Sequence, residues 1–483
     1  MVSRTVHDIW QPSEDFGFLP TRDGASLDSP DVLGPAEALL AQVPSILRDS
    51  NRAALCRACE ALPVAQLGAA LRDSPAAAEQ AFVVYAFLAQ SYLCRGGEET
   101  RPPTLELCEP IAVPWAAAAE ACGRHVSFDY AACVLWNVEW TRLDEPSSKL
   151  APPPQPRARW TVTGSKDEAH FYEVHARIEL AAAPAVGALL RGMAACDAGE
   201  PAERMSEMES ALRTLADSLS EMAELLPLIP RGCSPAYFYS TMRTYLSAPC
   251  DAPVHLRGVG RVVKLTGASG AQSAIIPCID CFLGVAHNGH AELPQYRLDG
   301  LEPGAQPAAS GGELPYEPHP VPLSHLPSSH KAMLARVRAR PPASLAALAA
   351  LGGPKAADKA DKAAASMAAS LHELRDLCLL RLMRWRKAHM GLVRAYIFAQ
   401  PGLQPLPNAP ASPRLAGYPE QLTGQEGQRP EGQRPAAREL LPRSPPAVGN
   451  ASGVVATIAS AIGTGGTLIL DFLAGRCVRP PGP

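Results

Sequence analysis

One histidine in the chain is placed to do chemistry by its spacing. His389 lies in RWRKAHMGLVRAY, from Arg384 to Tyr396. Leu371, Leu374, Cys378, Leu382, Trp385, His389, Leu392 and Tyr396 recur at steps of three or four, so its imidazole belongs to an apolar helical stripe that faces inward. A neutral imidazole held in a dry slot can serve as the proximal ligand of a haem iron; a satisfied core histidine gives the same pattern. Arg386, one turn earlier, falls on the same side, at the rim of the slot, where a guanidinium could pair with a haem propionate. A second arginine, Arg243 in AYFYSTMRTYLS, offers a planar fork suited to a carboxylate, or an internal ion pair, or a side chain snorkelling to the surface.

Other motifs carry less. Cys56 and Cys59 form a CxxC, as do Cys278 and Cys281. A zinc site needs two such pairs brought together, whereas helical CxxC pairs more often fill a core face. GTGGT at Gly463 to Thr467 lacks the Lys-Ser/Thr ending of a phosphate-binding loop and does not have the full GxGxxG spacing.

These residues must be positioned by helices. PAEALLAQVPSILRD, RAALCRACEALPVAQLGAALRD and AAAEQAFVVYAFLAQSYLC each suit an amphipathic helix, with little β-type alternation, so the region to about Leu143 reads as an all-α unit. DEPSSKLAPPPQPRAR, residues 144–159, is rich in proline and charge and reads as an exposed linker. The domain organisation expected is therefore 1–143, a linker 144–159, and a larger helical unit 160–483. Helices are expected over SKDEAHFYEVHARIELAAAPAVGALLRGM, AERMSEMESALRTLADSLSEMAELLPLI, AYFYSTMRTYLS and the stretch around Asp280. Segments 293–324 and 401–450, the latter with the near-repeat GQEGQRPEGQRP, bury too little apolar surface to offset their ordering entropy, and mobility is expected of both.

Composition agrees with a folded chain and removes some function classes. At 483 residues with 47% hydrophobic content there is ample core, more than one unit usually holds. Lys+Arg 44 against Asp+Glu 48 leaves no basic excess for a nucleic-acid surface. Thirteen cysteines, an odd number without framework spacing, read as reduced thiols of a cytoplasmic protein. The N-terminus has no apolar run of the secretory type, and the run from Val454 is broken by glycines and Asp471, so a buried helix after a Gly-rich turn suits it better than a membrane span.

Several stretches together carry a resemblance. IAVP at Ile111, YAACVL at Tyr130, AYFYSTMRTYLS at Ala236, GASGAQSAIIPCIDCFLG at Gly267, the His389 stretch, and GTGGT followed by LILDFLAG stand in the order of the indoleamine 2,3-dioxygenase family, which the chain resembles along most of its length. The resemblance implies an all-α fold, a small N-terminal domain packed on a larger one that holds haem b, active as Fe(II). The implied reaction inserts both atoms of O2 across the indole C2–C3 bond of L-tryptophan to give N-formylkynurenine, the first step of the kynurenine pathway, with the electron supplied by an unidentified reductant. A monomer with no nucleic-acid or membrane partner is expected.

The same resemblance assigns roles. His389 would ligate the metal, and Arg386, held by Asp280, would lie at the haem edge. Arg243 would clamp the substrate carboxylate, with Phe238 and Tyr239 where the family has two stacking phenylalanines; Tyr239 is a departure whose hydroxyl needs a partner if buried. Tyr130, Cys133 and Val134 would form the floor under the indole, with Leu246 beside them, and Ser269 and Gly270 a wall where a larger side chain would block substrate. Thr464 would offer its hydroxyl to the amino-acid end of the substrate, on a loop ordering as a lid. Phe171 would lie over the haem. His175, one turn on, stands where many members have serine, and resembles the distal histidine of tryptophan 2,3-dioxygenases. It would hydrogen-bond the indole N–H, or else ligate iron. A haem-binding sensor, or a weakly active member without significant tryptophan turnover, and a purely helical interaction scaffold are the competing function classes.

Overall fold

The computed structural model describes residues 10–21, 31–68, 71, 74–94, 105–140, 155–196, 200–249, 253–285, 316–317, 325–339, 343, 348 and 362–400. Thr464, the GTGGT stretch and 401–450 lie outside them, as does 293–324 except for 316–317.

Helices dominate, as the periodicity predicts. The N-terminal ones are α1 (Gly34–Arg48), α2 (Arg52–Glu60), α3 (Pro75–Leu93) and α4 (Glu109–Cys122). The expected helix RAALCRACEALPVAQLGAALRD stops at Glu60, one residue beyond its second cysteine; the residues after it form no continuous helix with it. Asn51 caps α2 by accepting from the Ala54 N–H, and Ser74 caps α3 by accepting from the Ala77 N–H. α4 ends at Gly123, whose φ of 62° is a left-handed conformation that glycine adopts without a Cβ penalty.

α3 is buried on nearly every side, so its few polar side chains must find partners inside the protein. Gln80 donates to Glu37, Ser91 to its own helix at the Phe87 carbonyl, and Glu79 receives Arg124. Gln90 reaches two carbonyls far along the chain, at Tyr245 and Ser247. Glu79, Gln80 and Gln90 are thus attachments by which α3 grips its neighbours.

Beyond the linker stand α5 (Lys166–Ala181), α6 (Ala183–Ala195) and α7 (Pro201–Leu225). α5 and α6, expected as one helix, meet at Ala182. Together Lys166–Ala195 are long and apolar enough to cross a membrane, but 72% of the most apolar window is buried inside the protein, the setting of a core helix. Pro235–Tyr237, a π-helical turn Phe238–Met242 and a last α-turn, α8 (Arg243–Leu246), replace the single helix expected over AYFYSTMRTYLS. Then follow α9 (Ile275–Leu283), α10 (Ser328–Ala339) and the long α11 (Lys362–Val393), which runs into a π turn at Arg394–Phe398. α7 packs along both α6 and α11, and α9 against α10.

Small sheets join the helices, a feature the helical spacing does not announce. β1 (Leu105–Leu107) pairs in parallel with β4 (Val254–Leu256), β4 antiparallel with β5 (Arg261–Val263), and β5 in parallel with β6 (Tyr316–Glu317). β2 (Val138–Trp140) pairs antiparallel with β3 (Pro156–Ala158). The end of the expected exposed linker is therefore a strand, with Pro156 buried, because β2 offers it an open edge.

Candidate active site

The stripe on α11 is buried as its spacing requires: Leu371, Leu374, Cys378, Leu382, Trp385 and Tyr396 are in the core. Cys378 donates its thiol to the Leu212 carbonyl of α7, fixing the rotation of α11. His389 continues the stripe, its ring stacked on Trp385 at 5.2 Å and 15°. Its Nδ1 is buried without a hydrogen-bond partner. Burial, then the proximity of His175, pushes the His389 imidazole down to about 4, so it is neutral at physiological pH. Arg386 pairs with Asp280 of α9 at 2.5 Å, both side chains buried. The ion pair with Asp280 is the one expected of Arg386; its burial is not, since the sequence placed the guanidinium at a rim.

α5 supplies the facing wall. Ser165 caps it by accepting from the Glu168 N–H, and the buried Glu168 accepts from the N–H groups of Val162 and Thr163 and the hydroxyls of Thr163 and Tyr172. From that anchor Phe171, His175 and Glu179 follow at steps of four, on one face of the helix. His175 Nδ1 lies 2.7 Å from the Phe171 carbonyl. A carbonyl only accepts, so Nδ1 carries the proton and Nε2 keeps its lone pair. Desolvation lowers the His175 pKa and holds the ring neutral.

Aromatic rings connect these walls. Phe171 lies 4.2 Å from His175 and 5.0 Å from Phe238, and Phe238 lies 5.4 Å from Tyr396, whose hydroxyl donates to the Cys233 carbonyl. The π turn explains how Phe238 and Arg243 come to one side: the Arg243 N–H bonds to the Phe238 carbonyl, so residues five apart are stacked rather than splayed. Arg243 is half-buried, its guanidinium 5.3 Å over the Tyr239 ring. The extra hydroxyl of Tyr239 thus belongs to a half-buried ring whose face supports the cation.

The segment expected as the floor is a second π turn, Ala131–Leu135, carrying Cys133 and Val134, with Tyr130 at its start, all buried. Asp129 sets this turn by accepting from the Ala132 N–H and binding Arg124. Gln272 joins floor to wall: its Oε1 accepts from the backbone N–H groups of both Tyr130 and Ser269. In the wall, Ser269 is half-buried, and a Cβ added to Gly270 would meet no protein atom within 4 Å, so that glycine borders open space. Leu246 is buried beside these segments, and the Ala268 N–H donates to its carbonyl.

Sequence reasoning missed Glu179, Gln272 and Ser273. Glu179 accepts from the hydroxyls of Tyr130 (3.0 Å) and Ser273 (2.6 Å), and burial raises its carboxyl to about 7. Its place at His175+4 was a usable signal, and Ser269-x-x-Gln272 is a capping box readable from residue types. His175, Phe171, Tyr130 and Phe238 are brought together as expected; Cys56/Cys59 and Cys278/Cys281 stay on separate helices, and those thiols are free.

Two uncharged imidazoles from opposite halves of a helical chain stand within electrostatic reach of each other, bordered by aromatic rings. A profile of the indoleamine 2,3-dioxygenase family matches residues 7–477, and the chain belongs to that family. It is 25% identical over 397 residues to a 6-hydroxytryptophan 2,3-dioxygenase of Fusarium equiseti, covering 79% of this chain and 82% of that one. It is also 25% identical over 263 residues to the indoleamine 2,3-dioxygenase of Saccharomyces cerevisiae (53% and 56% covered) and 26% identical over 234 residues to indoleamine 2,3-dioxygenase 1 of Mus musculus (47% and 55%). The family binds haem and acts on indole substrates with O2, so the chain is a haem dioxygenase of this type.

The residues present fit that cofactor. His389 on α11, a neutral imidazole with an unpartnered buried nitrogen stacked on Trp385, would hold the iron, and haem would supply the activation of O2.

Proposed function

We propose that the protein inserts both atoms of O2 across the C2–C3 bond of L-tryptophan, giving N-formylkynurenine, with haem b held by His389 and used as Fe(II). Haem, when bound, supplies the activation of O2; everything else is positioning by the chain. Arg243 binds the carboxylate through its planar fork, and the Tyr239 ring beneath limits the fork's freedom. Phe171 and Phe238 exclude water and flank the indole. His175 accepts the indole N–H at Nε2 and turns C3 toward the reacting oxygen; because its Nδ1 is committed to Phe171, it orients without donating. Indole can react from C3 while keeping its N–H, so no base is needed. Thr464, outside the described residues, is proposed to bind the amino-acid end of the substrate.

The observation that carries this reading is His175, whose Nδ1 is committed to the Phe171 carbonyl so that Nε2 is left to accept, set among the rings of Tyr130 and Phe171, the latter in turn against Phe238. One specific observation favours a ring-hydroxylated substrate as a second reading: the floor under the indole holds a polar set, Tyr130, Glu179 and Ser273, and the Fusarium equiseti relative is named for 6-hydroxytryptophan.

The test is the purified, haem-loaded protein and His389→Ala. The wild type is expected to show a Soret band and to form N-formylkynurenine from tryptophan under reducing conditions, with 6-hydroxytryptophan assayed alongside; the variant is expected to lose both haem and turnover. Haem retention with full activity in His389→Ala removes the proximal assignment. A Soret band with no turnover of either substrate turns the reading to the sensor.

A further inference from the structure

We propose that Gln90, on α3, is the positioning residue for Arg243 and so for recognition of the substrate's carboxylate. The inference rests on the reading of Arg243 above.

α8 is a single turn, too short to hold its shape by its own hydrogen bonds, and its carbonyls must be satisfied from outside. Each of them is. The Arg243 carbonyl accepts from the Ser247 N–H, the Thr244 carbonyl from the Cys94 thiol at 3.2 Å, and the Leu246 carbonyl from the Ala268 N–H of the pocket wall at 2.9 Å. The Tyr245 and Ser247 carbonyls both receive the Gln90 amide, at 2.9 and 2.7 Å. An amide NH2 has two donor hydrogens, and the two carbonyls use both. Gln90 is 1% exposed, so no water replaces it.

The clamp helix is therefore hung from the C-terminal end of α3. That end is itself pinned, for the Arg52 guanidinium bonds to the carbonyls of Tyr92 and Cys94. Two features make Gln90 more than packing. Among the described residues its side chain bridges the last turn of α8 and the residue after it, fixing both the tilt and the axial position of the turn that begins at Arg243. And a bidentate guanidinium–carboxylate contact tolerates little displacement, so a small movement of α8 is read at the fork. Glutamate would set a carboxylate against two carbonyls; leucine or methionine would keep the volume and take the Gln90 donor away from both carbonyls.

The experiment compares wild type and Gln90→Met, both haem-loaded, binding two probes followed by Soret perturbation: L-tryptophan, and tryptamine, which has the same ring and ammonium but no carboxylate. In Gln90→Met the dissociation constant for L-tryptophan is expected to rise about tenfold, with that for tryptamine within about twofold, one neutral hydrogen bond being worth about that factor. In an Arg243→Met background Gln90→Met is expected to cause no further loss for L-tryptophan, because the residue acts through the arginine. A loss shared equally by both probes, or one that persists undiminished without Arg243, overturns the proposal and leaves Gln90 as packing. If Gln90→Met does not retain haem, Cys94→Ala tests the same helix end more gently: a smaller loss confined to L-tryptophan supports the proposal, and a loss for both probes overturns it. A wild type that does not bind L-tryptophan refutes the substrate reading, and this proposal with it; a wild type that binds while Gln90→Met shows no selective loss refutes only the proposal.

Discussion

Glu179→Gln offers a prediction whose size follows from the structure. Glu179 is 2% exposed; its Oε1 accepts from Tyr130 and Ser273, and its Oε2 has no partner. Burial is the dominant influence and lifts the carboxyl from 4.5 to about 7, against the two hydroxyl donors, which pull it down. The folded protein thus holds this proton more tightly than the unfolded chain does. Its contribution to stability is greatest below 4.5, falls as pH rises from 4.5 to about 7, and levels off above that. At 1.36 kcal/mol per pKa unit the full fall is about 3 kcal/mol. Glutamine keeps the accepting oxygen and cannot ionise, but buries two unpartnered amide hydrogens, a cost of about 1–2 kcal/mol. The variant should therefore be less stable than wild type near pH 5 and more stable near pH 8, the curves crossing between. Denaturant midpoints of the holoprotein across that range measure the difference. Parallel curves would show that Glu179 is ionised in the folded protein throughout, and that desolvation does not govern it.

Three further outcomes are expected. Arg243→Lys exchanges a fork for a point charge and should lower kcat/KM for tryptophan roughly ten- to a hundredfold, the value of a charge-assisted hydrogen bond; unchanged kcat/KM would remove the clamp. Asp280→Asn removes the carboxylate bonded to the buried Arg386 and should destabilise by about 3–5 kcal/mol in denaturant titrations; a loss under about 1 kcal/mol would show that the pair contributes little to stability. N1-methyltryptophan should be a poor substrate for the wild type, and His175→Ala should narrow its disadvantage by about tenfold; equal turnover of the two by the wild type would show that His175 does not read the indole nitrogen.

Much of the site is legible in residue types because it lies on regular helices. The stripe through His389 has the helical period along its length, and α5 shows Phe171 and His175 at a step of four before any contact is known. Motif order brought the Tyr130, Arg243 and Ser269 segments into one site without saying how. Where the backbone leaves the α period the sequence is silent. Nothing in AYFYSTMRTYLS marks the π turn that stacks Phe238 and Arg243, and nothing in YAACVL marks the one that forms the floor. Both depend on what packs against them, since a wide turn is costly in isolation.

Residue order alone determined the helical class and the inward face of α11, because an amphipathic period is a local property. Tertiary structure decided which groups meet and in what protonation state. The carboxyl of Glu179 is raised by burial among elements distant in sequence, and Gln90 supports α8 across the fold, whereas the His175 tautomer is set within α5 by the Phe171 carbonyl one turn back. Desolvation and long-range hydrogen bonds exist only once the chain has closed on itself, so no reading of neighbouring residues contains them.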